Sequence, residues 1–206
     1  MEDLVDATNP SVPSECQGLD DLLSRPFRSA PYPKGSRFRR AGFTPGVYYA
    51  AEQPRTAAAE MAFYRLLFFA ESPDTPWPAN PLHCTGFSAT VFSTAPSTSP
   101  SLPSVWRHPV NYEPCQALAD ATRKAGAEIL RYEAMRDPEV GGLCVAVLSC
   151  AAFAETRPRR FDTWRIGVSR TGVYAIRESL GAKIEFNRDA FASDPRVAAM
   201  QWERFP

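Results

Sequence analysis

Three side chains in one stretch are of the types that act on a charged, sugar-bearing substrate: Arg37, Tyr49 and Glu60. The planar fork of an arginine suits a carboxylate or a pyrophosphate, gripped through two parallel hydrogen bonds. Tyr48 and Tyr49 alternate across a short strand, so one faces the core and the other is placed to stack on a flat base. Glu60 leaves a helix whose neighbours at helical spacing are Thr56, Ala57, Phe63, Tyr64 and Leu67, and a carboxylate in such apolar surroundings needs a partner. Taken together, the three suit chemistry at a nucleotide sugar, with the carboxylate stabilising an oxocarbenium-like centre as in glycoside cleavage. Two basic knots, Arg37, Arg39 and Arg40 near Lys34 and Arg157, Arg159 and Arg160, are further candidates to hold phosphate.

Other chemistries lack their signatures. The sequence contains no G-x-x-x-x-G-K-[ST], G-x-G-x-x-G, H-E-x-x-H or G-x-S-x-G, and its histidines are two, His83 and His108. No metal site is expected. Lys plus Arg and Asp plus Glu are both 23, so no global basic field exists to hold a nucleic acid directly. No apolar run approaches the roughly 18 residues that a membrane-spanning helix needs. The five cysteines are scattered without a C-x-x-C pair, which suggests reduced thiols in the cytoplasm.

A chain of 206 residues with 44% hydrophobic and 22% charged positions builds one domain of ordinary size. We expect it over residues 26–206, preceded by a loosely ordered arm over residues 1–25. The prolines at 26, 31 and 33 argue against regular helix there and for an edge strand and loop. Val47 to Ala50 reads as a short buried strand, followed by a helix over 54–71 that opens on Pro54 and is apolar nearly all round, hence buried. Leu82 to Ser93 alternates as a strand, and the Ser, Thr, Pro and Ala run from Thr94 to Pro103 suggests a mobile surface loop. A helix is expected over 112–127, then strands at 128–132 and 143–148, the second apolar enough to be central. A hairpin across Arg170-Thr171, a strand at 183–186 and a frayed, charged tail complete the pattern. The expected class is α+β, a mixed split sheet with flanking helices.

On these elements the sequence resembles the RES domain toxins, the toxic half of a class of bacterial toxin-antitoxin pairs named for an arginine, a glutamate and a serine. Gly35-Ser36-Arg37-Phe38-Arg39-Arg40-Ala41-Gly42 is similar to the glycine-arginine-aromatic motif of that family. The segment from Tyr49 to Glu60, with its tyrosine and acid eleven positions apart, resembles the strand-into-helix segment of the family. Tyr112 to Leu148, with Gln116, Ala121, Gly126, Arg136-Asp137 and Gly141-Gly142, is similar to the second half. The resemblance covers roughly residues 26–153. One position departs from it: Ala134 stands where the named serine belongs.

The resemblance implies a fold similar to the ADP-ribosyltransferases and a reaction on NAD as substrate, breaking the bond between nicotinamide and ribose. Family members destroy NAD by phosphorolysis or hydrolysis, or transfer ADP-ribose to a protein. It implies that Arg37 binds the pyrophosphate, that Tyr49 contacts nicotinamide or its ribose, and that Glu60 positions the ribose and stabilises the cationic transition state. Arg28, Ala134 and Arg136 are the further nucleotide-contacting positions. The implied partner is a cognate antitoxin with a DNA-binding helical region. With alanine at 134, either a weakened enzyme or a silent NAD-binding module fits the same pattern.

Overall fold

The computed structural model describes residues 13–28, 35–42, 45–93, 104–139 and 141–204. It has the expected α+β composition and resolves into two compact units, each assembled from three stretches of chain. The first unit takes Met1–Ala50, Ser88–Glu133 and Cys144–Arg159; the second takes Ala51–Phe87, Ala134–Leu143 and Arg160–Pro206.

In the first unit a three-stranded sheet runs in the order β1 (Tyr48–Ala51), β4 (Leu143–Val147), β3 (Ile129–Glu133). The apolar run at β4 does become the middle strand, and Cys144, Val145, Ala146 and Val147 are all buried. Successive side chains point to opposite faces, so both faces of this strand are covered. Helix α3 (Glu113–Lys124) buries Cys115, Ala119 and Thr122, one stripe at helical spacing. It closes on Gly126, whose φ of +75° is the left-handed turn that ends helices. There Gly126 N donates to Arg123 O and Ala127 N to Thr122 O, so the last carbonyls are satisfied.

Two expectations fail in this unit. Pro26 lies inside helix α1 (Asp21–Arg28) rather than in a strand. A proline at the sixth position of eight forfeits one backbone bond, and the helix ends two residues later before a longer ladder is lost. Cys16 and Cys150 form a disulfide with their Cα atoms 5.2 Å apart, so the thiols are not all reduced; Cys84, Cys115 and Cys144 remain free. Thr94 to Pro103 lies outside the described residues.

The second unit is built on a sheet ordered β2 (Leu82–Ser88), β5 (Arg159–Ser169), β6 (Gly172–Arg177), β7 (Ala182–Asn187). β5 and β6 form the expected antiparallel hairpin, closing with Ser169 opposite Gly172. Helix α2 (Pro54–Ala70) packs on β6, β7 and the short helix α4 (Pro195–Ala198). Ala59, Ala62, Phe63 and Leu66 are fully enclosed there with Val168, Val173, Ala175 and Phe186. The helix is not buried all round: Met61, Tyr64 and Phe68 are exposed. Its buried stripe follows the 3.6-residue period, and apolar type alone does not say how many faces meet a neighbour.

The tail is not frayed. Phe191, Val197, Met200 and Trp202 are buried in this core, and Asp194 caps α4 by accepting the Arg196 N–H. No described helix is long and apolar enough to cross a membrane.

Candidate active site

Arg37 sits at the tip of a tight turn. Ser36 N donates to Arg39 O at 2.7 Å and Arg39 N returns to Ser36 O at 3.2 Å. Gly35 enters this turn at φ +66°, where a Cβ would lie 2.6 Å from Arg39 O, so the turn requires glycine. Helix α3 holds the turn from outside. Gln116 donates from Nε2 to both Ser36 O and Arg39 O, at 3.0 and 3.2 Å, and Arg40 pairs with Asp120 at 2.8 Å.

The Arg37 side chain is only 9% exposed. Its Nη1 donates to Trp106 O at 2.9 Å and His108 O at 3.4 Å and touches Cys115 Sγ at 3.7 Å. The guanidinium lies 4.8 Å over the Tyr112 ring. These neighbours are carbonyls, a thiol and a π face, and none carries a compensating negative charge. Burial raises the Cys115 thiol despite the charge of Arg37, so it stays protonated and donates to Trp106 O. His108 is structural here: its Nδ1 accepts the N–H groups of Val110 and Asn111.

Tyr48 and Tyr49 divide as their alternation predicts. Tyr48 packs edge-on against Phe153 at 5.2 Å, and burial pushes its hydroxyl up to about 12. Tyr49 is 41% exposed, and its hydroxyl meets Ser36 Oγ at 2.8 Å while accepting the Phe38 N–H at 3.0 Å. Burial of that hydroxyl end raises its pKa, outweighing the hydrogen bonds from Ser36 and Phe38 and the charges of Arg37 and Arg123. Tyr49 is therefore a neutral phenol at pH 7. Phe38, at 1% exposure, locks the turn by packing edge-on against Tyr132 at 4.8 Å.

In the second unit, Glu60 lies half-buried on α2, one turn beyond Thr56. Thr56 donates to Asp137 Oδ2 at 2.8 Å, and Ala134 N donates to Gly142 O at 2.8 Å, closing the loop between β3 and β4. A Cβ at Gly142 would lie 2.8 Å from both Thr56 Oγ1 and Asp137 Oδ2. Arg136 is buried, 3.9 Å over the Phe63 ring, with Nη1 3.2 Å from Asp194 Oδ2. Asp194 is 1% exposed and also takes two hydrogen bonds from the Arg196 guanidinium, at 3.0 and 2.8 Å. Burial alone would raise the Asp194 carboxyl; the Arg196 hydrogen bonds and the nearby Arg136 charge hold it below the ordinary aspartate value.

A family model described as RES domain matches residues 13–169. The chain belongs to the RES domain family. No curated protein matches it. The RES match includes Arg37, Tyr49, Glu60, Ala134 and Arg136 and stops at the end of β5, so β6, β7 and α4, which complete the core under α2, lie beyond it.

Within this RES chain the structure joins Arg37 to Tyr49 through the 36–39 turn in the first unit. Glu60, Ala134 and Arg136 belong to the second unit. Arg28 lies on α1 and pairs with Asp21. Sequence reasoning missed Ser36 as a partner of Tyr49, and it missed Trp106, Tyr112 and Cys115 as the lining of Arg37. Adjacency of Ser36 to Arg37 was a usable signal. The two carbonyls beneath Arg37 leave none, since every residue has one.

Proposed function

We propose that this RES domain cleaves the bond between nicotinamide and ribose in NAD, as the toxin of a bacterial toxin-antitoxin pair whose antitoxin carries a DNA-binding helical region. The observation that carries the reading is Arg37, a nearly buried cation fixed by carbonyls and a ring beside a neutral tyrosine, in a chain of this family. A charge held in that way attracts the pyrophosphate of a dinucleotide without reorganising. Tyr49 presents its ring to the nicotinamide riboside end, while its protonated hydroxyl is held by Ser36 and the Phe38 N–H.

In the proposed reaction the C–N glycosidic bond breaks and its electron pair goes to the pyridinium nitrogen, releasing neutral nicotinamide. Glu60 offers its carboxylate to the oxocarbenium ion left on the ribose. Water or phosphate then attacks the anomeric carbon, and the proton of an attacking water leaves to solvent. ADP-ribosylation of a protein shares the first step and differs only in the nucleophile. Ala134 favours a slow enzyme or a silent NAD-binding module as the second reading, because a hydroxyl bonded to a charged group contributes about 1.5–3 kcal/mol.

The test is incubation with NAD, with and without phosphate, measuring free nicotinamide. Release that falls at least about a hundredfold in Glu60→Gln supports the assignment. Intact NAD with both the native chain and Ala134→Ser would sink the enzymatic reading in favour of the silent module.

A further inference from the structure

Ser36 and Tyr49 carry two hydroxyl hydrogens between them, and the 2.8 Å bond that joins them uses one. The Phe38 N–H brings its own hydrogen to Tyr49 Oη at 3.0 Å, so it consumes neither. Among the described residues no protein acceptor takes the second hydroxyl hydrogen. One O–H is left without an acceptor among the described residues: that of Ser36 when Tyr49 donates inside the pair, that of Tyr49 when Ser36 does. Both residues are accessible, Ser36 partly and Tyr49 at 41%. The spare donor is also directed: the Phe38 N–H polarises Tyr49 Oη, and the turn that carries Ser36 is pinned by Gln116.

The surroundings define the acceptor. Arg37 is the next residue of the same turn and faces no carboxylate among the described residues. The charges of Arg37, Arg39 and Arg123 all reach the Tyr49 oxygen. A donor in a positive field selects an anionic oxygen over a neutral one.

We propose that the Ser36–Tyr49 hydroxyl pair is a phosphate-binding donor beside Arg37. The proposal rests on the NAD reading for its ligand, while the donor itself is tested without NAD. The full chain is titrated calorimetrically with inorganic pyrophosphate as wild type, Ser36→Ala and Ser36→Thr, with circular dichroism confirming that each variant is folded. Wild type and Ser36→Thr should bind alike, and Ser36→Ala about tenfold more weakly, the loss expected for one hydrogen bond to a charged group. Equal affinity in wild type and Ser36→Ala, or no pyrophosphate binding by wild type, overturns the proposal. In NAD turnover, Ser36→Ala should raise KM about tenfold and leave kcat within about twofold, the signature of lost uniform binding. Pyrophosphate binding that depends on Ser36 in a chain that never releases nicotinamide upholds the donor and rejects NAD cleavage instead.

Discussion

Arg37 and Arg136 are both nearly buried and both lie over an aromatic ring, yet they are different devices. Arg37 in the first unit spends Nη1 on backbone carbonyls and faces no carboxylate among the described residues. Arg136 in the second unit faces Asp194, a buried carboxylate that it shares with Arg196. A cation held by neutral dipoles projects its field toward a ligand; a cation held by a buried carboxylate is largely cancelled and serves packing. The contrast favours Arg37 over Arg136 for the proposed anion binding, although the two residue types read alike in sequence.

The largest effect should come from breaking the compensated side. Asp194→Ala removes the buried carboxylate that faces both Arg136 and Arg196 and should cost about 3–5 kcal/mol of stability, measured by urea unfolding. The same carboxylate predicts a pH leg. Its folded-state pKa is depressed, so its contribution is complete above the ordinary value of 3.8 and is lost as the pH falls through the lower folded value. Asp194→Ala should flatten unfolding stability in that acid window. An unchanged stability at neutral pH would remove the contrast between the two arginines.

Breaking the uncompensated side should act on function first. Arg37→Met should lower nicotinamide release by about ten- to a hundredfold, and its stability cost should be smaller than that of Asp194→Ala. If it unfolds the chain as severely, Arg37 is a structural residue like its counterpart. The smallest effect sharpens the comparison from the other unit. Ala134→Ser should raise nicotinamide release by about tenfold if the loop that bears Arg136 touches the nucleotide, and leave it unchanged if that loop only packs.

Much of the fold was legible because periodicity carries it. The strand before Pro54, helix α2, the apolar central strand β4 and the hairpin around Arg170-Thr171 all fall where alternation and helical spacing put them. The tail was not legible, because Phe191, Val197, Met200 and Trp202 lie on a 3-10 turn, a four-residue helix and loops, which have no shared period. Nor was the disulfide, since Cys16 and Cys150 are 134 positions apart and pairing follows from Cα separation rather than spacing.

By itself the sequence determined the α+β class, the family, and the residue types at 37, 49 and 60, since local propensity and motif spacing are written along the chain. Only the tertiary structure decided what each charge does. Whether an arginine keeps its field or loses it depends on groups brought near through space: Trp106 and His108 for Arg37, Asp194 for Arg136. Electrostatic compensation depends on distance and burial, and residue order fixes neither.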